Sequence, residues 1–568
     1  MVRDNNGSGL PARVALLGVL VLVGCCGHSA AQSEAPRKAR GRVGIAGEYL
    51  LRFKPGTDAV AMERALSDVE VVHRFRVPAD LYSVRSRDAG KEAAIVADLA
   101  QRPEVVYIEP NQSYYASGTV DYTPFSKQWA LTKINAAPAW AAGKAKGMVC
   151  VATLDSGIDF GKYPELQDLI WTNPVEASGS SGKDDDGNGY IDDIHGFMAV
   201  GAPTPSVGHP VPAGNPTDNN GHGTWVAGVI AGVVGAVDAV VKKGPLPNIR
   251  IIPCKFLNAG GIGTTEDAVR CLEYVASIKD HNECNVVATN NSWGEDADSF
   301  PSKALSDAIA AQRDRGILFV VAAGNLHHDL DPDNSHAYPA NYAFANVLTV
   351  GGTSDTDAMA VSGTGSNFGR HSVHVAAPGF QIAKMEPTPL TKPKNSSWST
   401  SLATPHVTGL IALLNSQPTA PTWTAVRNLV LAGGTPLTKP TLTASGRRIT
   451  ISGSGGLGSM TCSGQVVQAR LLPSVNAITI STGQTVDLAA LHINCDKPNG
   501  APSVQVQQPD GTVVAVTLLD DGVDPDQVKT DGIYAVRWKP LGKGVYVLTF
   551  PNSTPQLVQA DRLTVTVH

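Results

Sequence analysis

Between residues 48 and 115 the spacing of apolar positions switches repeatedly between the strand period of two and the helix period near 3.6. "EYLLRFKP" reads as a strand, "AVAMERALSDV" as a helix, "VVHRFRV" and "LYSVRS" as strands, "KEAAIVADLAQRP" as a helix and "VVYIEPNQSYY" as a last strand. The order βαββαβ is that of a ferredoxin-like α+β unit. A loose polar stretch, "ASGTVDYTP", follows. From about Phe125 to Ile449 short apolar runs alternate with helical segments. "MVCVATLDSGID", "IRIIPCKFL", "CNVVATNNSWG", "GILFVVAAGN" and "NVLTVGGTS" each end in a polar or Gly-rich turn. This alternation predicts an α/β domain of three layers, a mostly parallel sheet with helices on both faces, and sites at the carboxyl ends of its strands. "ISGSGGLGS" reads as a linker. Only short β-rich runs follow it, among them "SVQVQQPDGTVVAVTLLD", "GVYVLTF" and "RLTVTVH", which predicts an all-β sandwich.

The predicted divisions are a leader at 1–31, the small α+β unit at 46–116, the α/β domain at 118–450, a linker at 451–472 and the sandwich at 473–568. The leader reading rests on Arg3 and Arg13 ahead of the apolar run Val14 to Val23, which is short for a bilayer span. "HSAAQ" offers small residues for cleavage and secretion. "LVGC" offers the alternative of a lipidated Cys25 and an anchored protein. No other segment reads as transmembrane.

Hydrophobic residues make up 42% and charged residues 17%, a globular balance. A net charge of -6 and an isoelectric point near 6.2 exclude the basic footprint of a nucleic-acid binder. Cys25 and Cys26 belong to the leader, and six cysteines remain. In an exported chain these predict disulfides, with Cys462 and Cys495 the expected pair. Cys150 and Cys254 lie in apolar runs, where buried free thiols are the alternative. The spacings form no zinc pattern.

Four polar residues stand at the ends of apolar runs. Asp155 closes "VATLD", and a carboxylate there could orient a histidine. His222 precedes the small-residue run of "GHGTWVAGVIAGVVG". Asn325 closes "VVAAGN", where its amide could donate to an oxyanion. Ser401 opens the apolar helix of "STSLATPHVTGLIALL", whose amides and dipole favour developing negative charge. Singly, each has a plainer reading as a turn former, a structural histidine or an N-cap. Jointly, in the order Asp, His, Asn, Ser, they point to nucleophilic catalysis.

"DSGID", "GHGTWVAG", "AAGN" and "STSLATPHVTG", together with "NNSWG", "YPANYAFANVLTVGG" and "AAPG", resemble the motifs of the subtilisin-like serine peptidases over roughly residues 118 to 450. The leading unit, with its "VVYIEPN" ending, resembles that family's inhibitory propeptide. The resemblance implies a subtilisin-like fold and a secreted endopeptidase acting on protein or peptide substrates, made as a zymogen and held by its own propeptide as an intramolecular inhibitor. Ser401 would attack, His222 would move the proton, Asp155 would fix the imidazole, and Asn325 with the Ser401 amide would hold the oxyanion. Ser292, Trp293 and Gly294 would line the substrate cleft, with Tyr338 at its rim. Ser399 stands where the family usually has Gly, so a backbone needing positive φ there would be strained. Trp225 replaces a common His and is expected to change packing, and Leu402 replaces the usual Met.

"KDDDGNGYIDD" is dense in oxygen ligands. Asp184, Asp186, Asn188 and Asp192 are the candidate Ca2+ ligands, because carboxylates so close would repel without a cation. The loop resembles the start of an EF-hand and calcium loops of some subtilases, although the closing bidentate Glu is missing. Asp520, Asp521, Asp524, Asp526 and Asp531 repeat the theme, where turn chemistry is a sufficient alternative. "HHDLDPDN" reads as a surface loop. Two rival functions remain: a catalytically silent binding or adhesion protein of the same fold, supported by Ser399 and the added sandwich, and an α/β-hydrolase esterase. The esterase lacks its required G-x-S-x-G around Ser401.

Overall fold

The computed structural model describes residues 44–116, 129–141, 147–202, 209–235, 248–294, 300–332, 335–361, 364–382, 398–417, 421–451, 466–494, 501–551 and 560–568. The leader with Cys25, the polar stretch after residue 116, and the expected Cys462–Cys495 pair lie outside them.

The first unit contains β1 (Gly44–Phe53), α1 (Ala59–Leu66), β2 (Val69–Arg74), β3 (Leu81–Ser86), α2 (Glu92–Gln101) and β4 (Val105–Ala116). Its strands pair antiparallel in the order β4-β1-β3-β2. Leu51, Phe53, Val69, Val84 and Leu99 form its small core.

The α/β domain begins with β5 (Val149–Asp155), followed by α3 (His222–Val233), β6 (Ile249–Lys255), β7 (Ile262–Thr264), α4 (Thr265–Asp280), β8 (Asn285–Asn291), β9 (Trp293–Gly294), α5 (Lys303–Asp314), β10 (Leu318–Ala322), β11 (Val347–Thr353), β12 (Val375–Pro378), α6 (Thr400–Asn415) and α7 (Trp423–Ala432). The central strands run parallel in the order β12-β11-β10-β8-β5-β6. Every residue of β5 is buried. Val149 and Val151 enter one apolar layer with Ala227, Ile230, Val407 and Leu410, which belong to α3 and α6. Cys150, Ala152 and Leu154 enter the opposite layer with Leu272, Val275 and Leu305, which belong to α4 and α5. Alternating Cβ directions on a strand covered on both faces explain its apolar run from Val149 to Ala152. Because β5 lies between β8 and β6, the chain order reverses beside it. That reversal is the switch point where α/β sheets build sites, and it puts Asp155 at the strand's carboxyl end.

Two disulfides correct the free-thiol alternative. Cys150 of β5 is bonded to Cys284, and Cys254 of β6 to Cys271 of α4.

The C-terminal domain is a β sandwich. One sheet has the order β13 (Val466–Leu472), β15 (Val486–Asn494), β18 (Ile533–Trp538). The other joins β14 (Ala477–Ile480), β20 (Asp561–Val567), β19 (Gly544–Phe550), β16 (Ser503–Gln507) and β17 (Val513–Thr517). Leu488, Val504, Tyr534, Leu548 and Leu563 fill the space between them. The predicted linker at 451–472 is thereby shortened, since β13 pairs with β15 in register from Val466 onward. The polar residues flanking the glycines hid its start, while Val467 and Ala469 are buried.

Candidate active site

Asp155 is fully buried, and its carboxylate accepts from the Ser156 amide at 2.7 Å. His222 Nδ1 stands 2.8 Å from Asp155 Oδ1 and 3.0 Å from Oδ2. The α3 N-terminus approaches β5 this closely because residue 223 has no side chain. A Cβ on Gly223 would stand 2.2 Å from the Gly157 carbonyl oxygen and 3.1 Å from Asp155 Cβ.

Asp218 braces the turn into α3. Its Oδ1 accepts from Ser156 Oγ at 2.9 Å and from the Asn220 and Gly221 amides at 2.8 Å, and its Oδ2 from the Thr224 amide and hydroxyl. Lys255, at the end of β6, donates to the Ser156 carbonyl and to Asn219 Oδ1. Burial lowers its pKa, opposed by the Asp218 and Asp155 charges. Neither Asp218 nor Lys255 was singled out from sequence, although Asp218 opens the "DNNGH" run.

Ser401 is the second residue of α6 and fully buried. Four residues on stands Pro405, which lacks the N–H that would normally bond the Ser401 carbonyl. Ser292 Oγ supplies that bond at 2.7 Å, and Ser401 Oγ donates to the Ser292 carbonyl at 3.1 Å. Ser292 therefore braces the start of α6 from the end of β8. Asn325 Oδ1 accepts from the Thr400 amide at 2.7 Å and its hydroxyl at 3.0 Å. This caps α6 and fixes the amide with Nδ2 as its donor. The sequence reading missed the capping role.

Ser399 has φ −150° and ψ 104°, extended backbone that any residue adopts. The expected strain is absent. Trp225 packs with Ala130, Val229, Ile382 and Leu402, as expected of a packing residue.

The residues expected to line a cleft lie in two places. Trp293 and Gly294, as β9, pair antiparallel with Ala116 and Tyr115 of β4. On the other side, Ile262, Gly263 and Thr264 of β7 pair with Tyr115, Tyr114 and Ser113. The end of the first unit is thus a strand inserted between two edges of the α/β domain. The Trp293 indole is buried, 5.0 Å from the Tyr114 ring and 4.9 Å from Phe256. The Tyr338 carbonyl lies 3.3 Å from where a Cβ of Gly294 would stand.

The first unit also covers the N-termini of α4 and α5. Glu109 accepts from Ser302 Oγ at 2.8 Å and from the Lys303 and Ala304 amides at 3.0 Å, a carboxylate on a helix N-terminus. Asn111 accepts from the Glu266 amide, and Ser83 donates to Glu266.

The acidic loop differs from its sequence reading. Carboxylate oxygens of Glu176, Asp184 and Asp186 lie within 4.8 Å of one another. Asn188 Nδ2 instead donates to Asp186, Asp193 and Glu283, and Asp192 Oδ2 accepts from the Gly182 amide. Burial, reinforced by the Glu283 charge, pushes Asp193 up to about 8. Burial with the Asp186 and Glu176 charges pushes Glu283 up to about 7. Asp184 Oδ1 is buried without a hydrogen-bond partner among the described residues. This donor set fits a hard cation. Asp520, Asp526 and Asp531 form a second such group, partly neutralised because Asp531 pairs with Arg427.

Residues 146–445 match the Subtilase family, and residues 472–551 match the second Ig-like domain of conditioned medium factor. The chain is 30% identical over 288 residues to "Subtilisin-like protease 1" of Plasmodium falciparum, covering 47% of this chain and 37% of that protein. It is 29% identical over 429 residues to an "Extracellular protease" of Xanthomonas campestris, covering 67% and 68%. It is 28% identical over 379 residues to a "Thermophilic serine proteinase" of a Bacillus species, covering 66% and 79%. The chain belongs to the subtilase family of serine peptidases.

Proposed function

We propose that the protein is a secreted serine endopeptidase that cleaves peptide bonds through an acyl-enzyme and is made as a zymogen inhibited by its first unit. The observation that carries this reading is the strand Ser113–Ala116. It lies between β7 and β9 as an extended peptide would, in the α/β domain that holds the bonded Asp155–His222 pair.

Asp155 keeps the imidazole proton on Nδ1, which makes Nε2 the base. Nε2 takes the Ser401 Oγ proton as Oγ attacks the peptide carbonyl. The oxygen that gains charge is received by Asn325 Nδ2 and by the Ser401 amide in the first turn of α6, where the helix dipole favours negative charge. Nε2 then gives its proton to the leaving amine, and water repeats the sequence on the acyl-enzyme. Peptide substrates add a strand between β7 and β9. The first unit, a ferredoxin-like propeptide in this reading, caps α4 and α5 and fills the cleft until it is cut after residue 116. A calcium ion on Glu176, Asp184 and Asp186 would supply charge neutralisation to the loop and takes no part in the proton transfers. Secretion is supported by the leader pattern and by the relative described as an extracellular protease. Among the described residues no helix is long and apolar enough to cross a membrane.

The test is to purify wild type and Ser401→Ala without other proteases. The wild type should lose residues up to about 116, hydrolyse casein and take up a serine-directed organophosphate. Ser401→Ala should stay full length. Normal maturation of Ser401→Ala refutes self-processing. A folded wild type that is inert and unlabelled refutes the peptidase reading in favour of the silent binding protein. The extended backbone at Ser399 removes one observation that had favoured that rival.

A further inference from the structure

The sandwich is fastened to the α/β domain at points that reach toward the cleft. Val467, Leu491 and Ile493, on β13 and β15, are buried in the same apolar layer as Val430 and Leu431 of α7. Arg427 of α7 and Asp531 form an ion pair at 3.2 Å, with both side chains almost wholly buried. A few residues before Asp531, Gln527 reaches across. Its Nε2 donates to the Ala343 carbonyl at 2.8 Å, and its Oε1 accepts from the Ala345 amide at 3.0 Å and from Arg313 Nη1 at 3.2 Å.

Ala343 and Ala345 lie in the segment that carries Tyr338. At its other end the Tyr338 carbonyl abuts Gly294, the β9 residue paired with Tyr115. Between the ends, the Tyr342 ring packs 4.9 Å from Tyr338, and its hydroxyl donates to the Ser302 carbonyl and accepts from the Ser302 amide. A cavity of about 210 Å³ lies against this segment, lined among others by Tyr342, Phe344, Leu431, Leu491, Pro525 and Ile533. Packing from the sandwich side therefore leaves the segment with room to move. Among the described residues, the Gln527 amide supplies the direct hydrogen bonds between the sandwich and this segment.

We infer that Gln527 is a positioning residue for peptide binding: through it the sandwich sets the segment 338–345 against β9, and so the affinity for residues on the acyl side of the cleaved bond. This rests on the peptidase reading above.

The experiment uses the mature protein with its sandwich attached, carrying Gln527→Ala or Gln527→Glu. One substrate is a peptide with four residues before the cleaved bond. The other is p-nitrophenyl acetate, which needs Ser401 and His222 but no strand pairing. Gln527→Ala is expected to raise the peptide KM about three- to tenfold with kcat within about twofold, the scale of lost hydrogen bonds, and to leave ester hydrolysis unchanged. Gln527→Glu keeps the acceptor for Ala345 and Arg313 and loses the donor to Ala343, so its KM should lie between the two. An unchanged peptide KM overturns the inference. So does a parallel fall of ester and peptide turnover, which would mark general damage to the fold. A wild type that hydrolyses neither substrate and takes up no serine label overturns the peptidase reading, and this inference with it.

Discussion

Replacing Gly223 with Ala tests whether the close approach of α3 to β5 makes the Asp155–His222 pair. Helix propensity alone predicts a gain, because Ala is better than Gly in a helix interior by about 0.8–1 kcal/mol. The structure predicts a loss. The added methyl would stand 2.2 Å from the Gly157 carbonyl oxygen, where an ordinary carbon–oxygen contact is about 3.3 Å. The first turn of α3 must therefore retreat by about 1 Å. Asp155 Cβ at 3.1 Å blocks a sideways escape. His222 Nδ1 would then leave both carboxylate oxygens, since 2.8 and 3.0 Å become distances beyond about 3.5 Å. Misplacing a catalytic group by 1 Å costs about 100-fold in rate, and overpacking costs about 1–3 kcal/mol. The assay is kcat and KM on a peptide, with a urea unfolding curve on the same preparation. The expected variant is about 100-fold slower in kcat, little changed in KM and no more stable than wild type. A variant that is fully active and more stable by the propensity difference would refute the argument.

Asn325→Asp keeps the acceptor that caps Thr400 and removes the donor, so kcat should fall about 10²- to 10³-fold while the melting temperature stays near wild type, whereas Asn325→Ala should lose both activity and stability. Calcium at 100 times its Kd should stabilise the protein by about 2.7 kcal/mol; chelator should remove that gain, and Glu176→Gln should blunt the response seen in the melting curve. His371 donates from Nδ1 to the Arg470 carbonyl and accepts from Arg470 at Nε2, and burial with the Arg470 charge pushes its pKa down to about 4. Its contribution, about 3 kcal/mol, is present above the unfolded value near 6.5 and is lost as pH falls through 4, so urea midpoints should drop over that window and drop less in His371→Gln. Ser399→Gly relieves no strain at φ −150°, so activity should stay within about twofold and stability should fall by about 0.5–1 kcal/mol on denaturant titration.

The central sheet was legible because a strand buried on both faces must be largely apolar, and β5 is apolar from Val149 to Ala152 and at Leu154. Its polar end was legible for the same reason: Asp155 ends a run in which a charge has no other excuse. The disulfide pairing was not. Cys150 and Cys284 are separated by 134 residues, and their meeting depends on β8 lying beside β5, a pairing that hydrophobic period does not specify. The edge strand β7 was missed because "IGT" is too short and too polar to show a period. In the acidic loop the alternate spacing of Asp184, Asp186 and Asn188 suggested one ligand face. Glu176, ten residues before Asp186, joined the group because it lies on the short helix Pro174–Ser178, whose cap Asn173 is tied to the loop by Nδ2 donating to Asp186 and Asp193.

The start of α6 shows why the surroundings of a candidate nucleophile are hard to read from its own motif. Pro405 takes a donor away from the Ser401 carbonyl, and the replacement comes from Ser292, 109 residues earlier. Thr400 would be the natural cap from sequence, yet its amide is capped by Asn325, from the end of β10. The motif thus needs residues just past the ends of two other strands to be complete, Ser292 after β8 and Asn325 after β10. A strand end buried with Ser or Asn is costly unless its groups are bonded, and here they are bonded to the first turn of α6. The same demand explains why Ser399 is tolerated. The Ser399 amide donates to the Gly379 carbonyl at 2.8 Å, so residue 399 is held in extended backbone whatever its side chain.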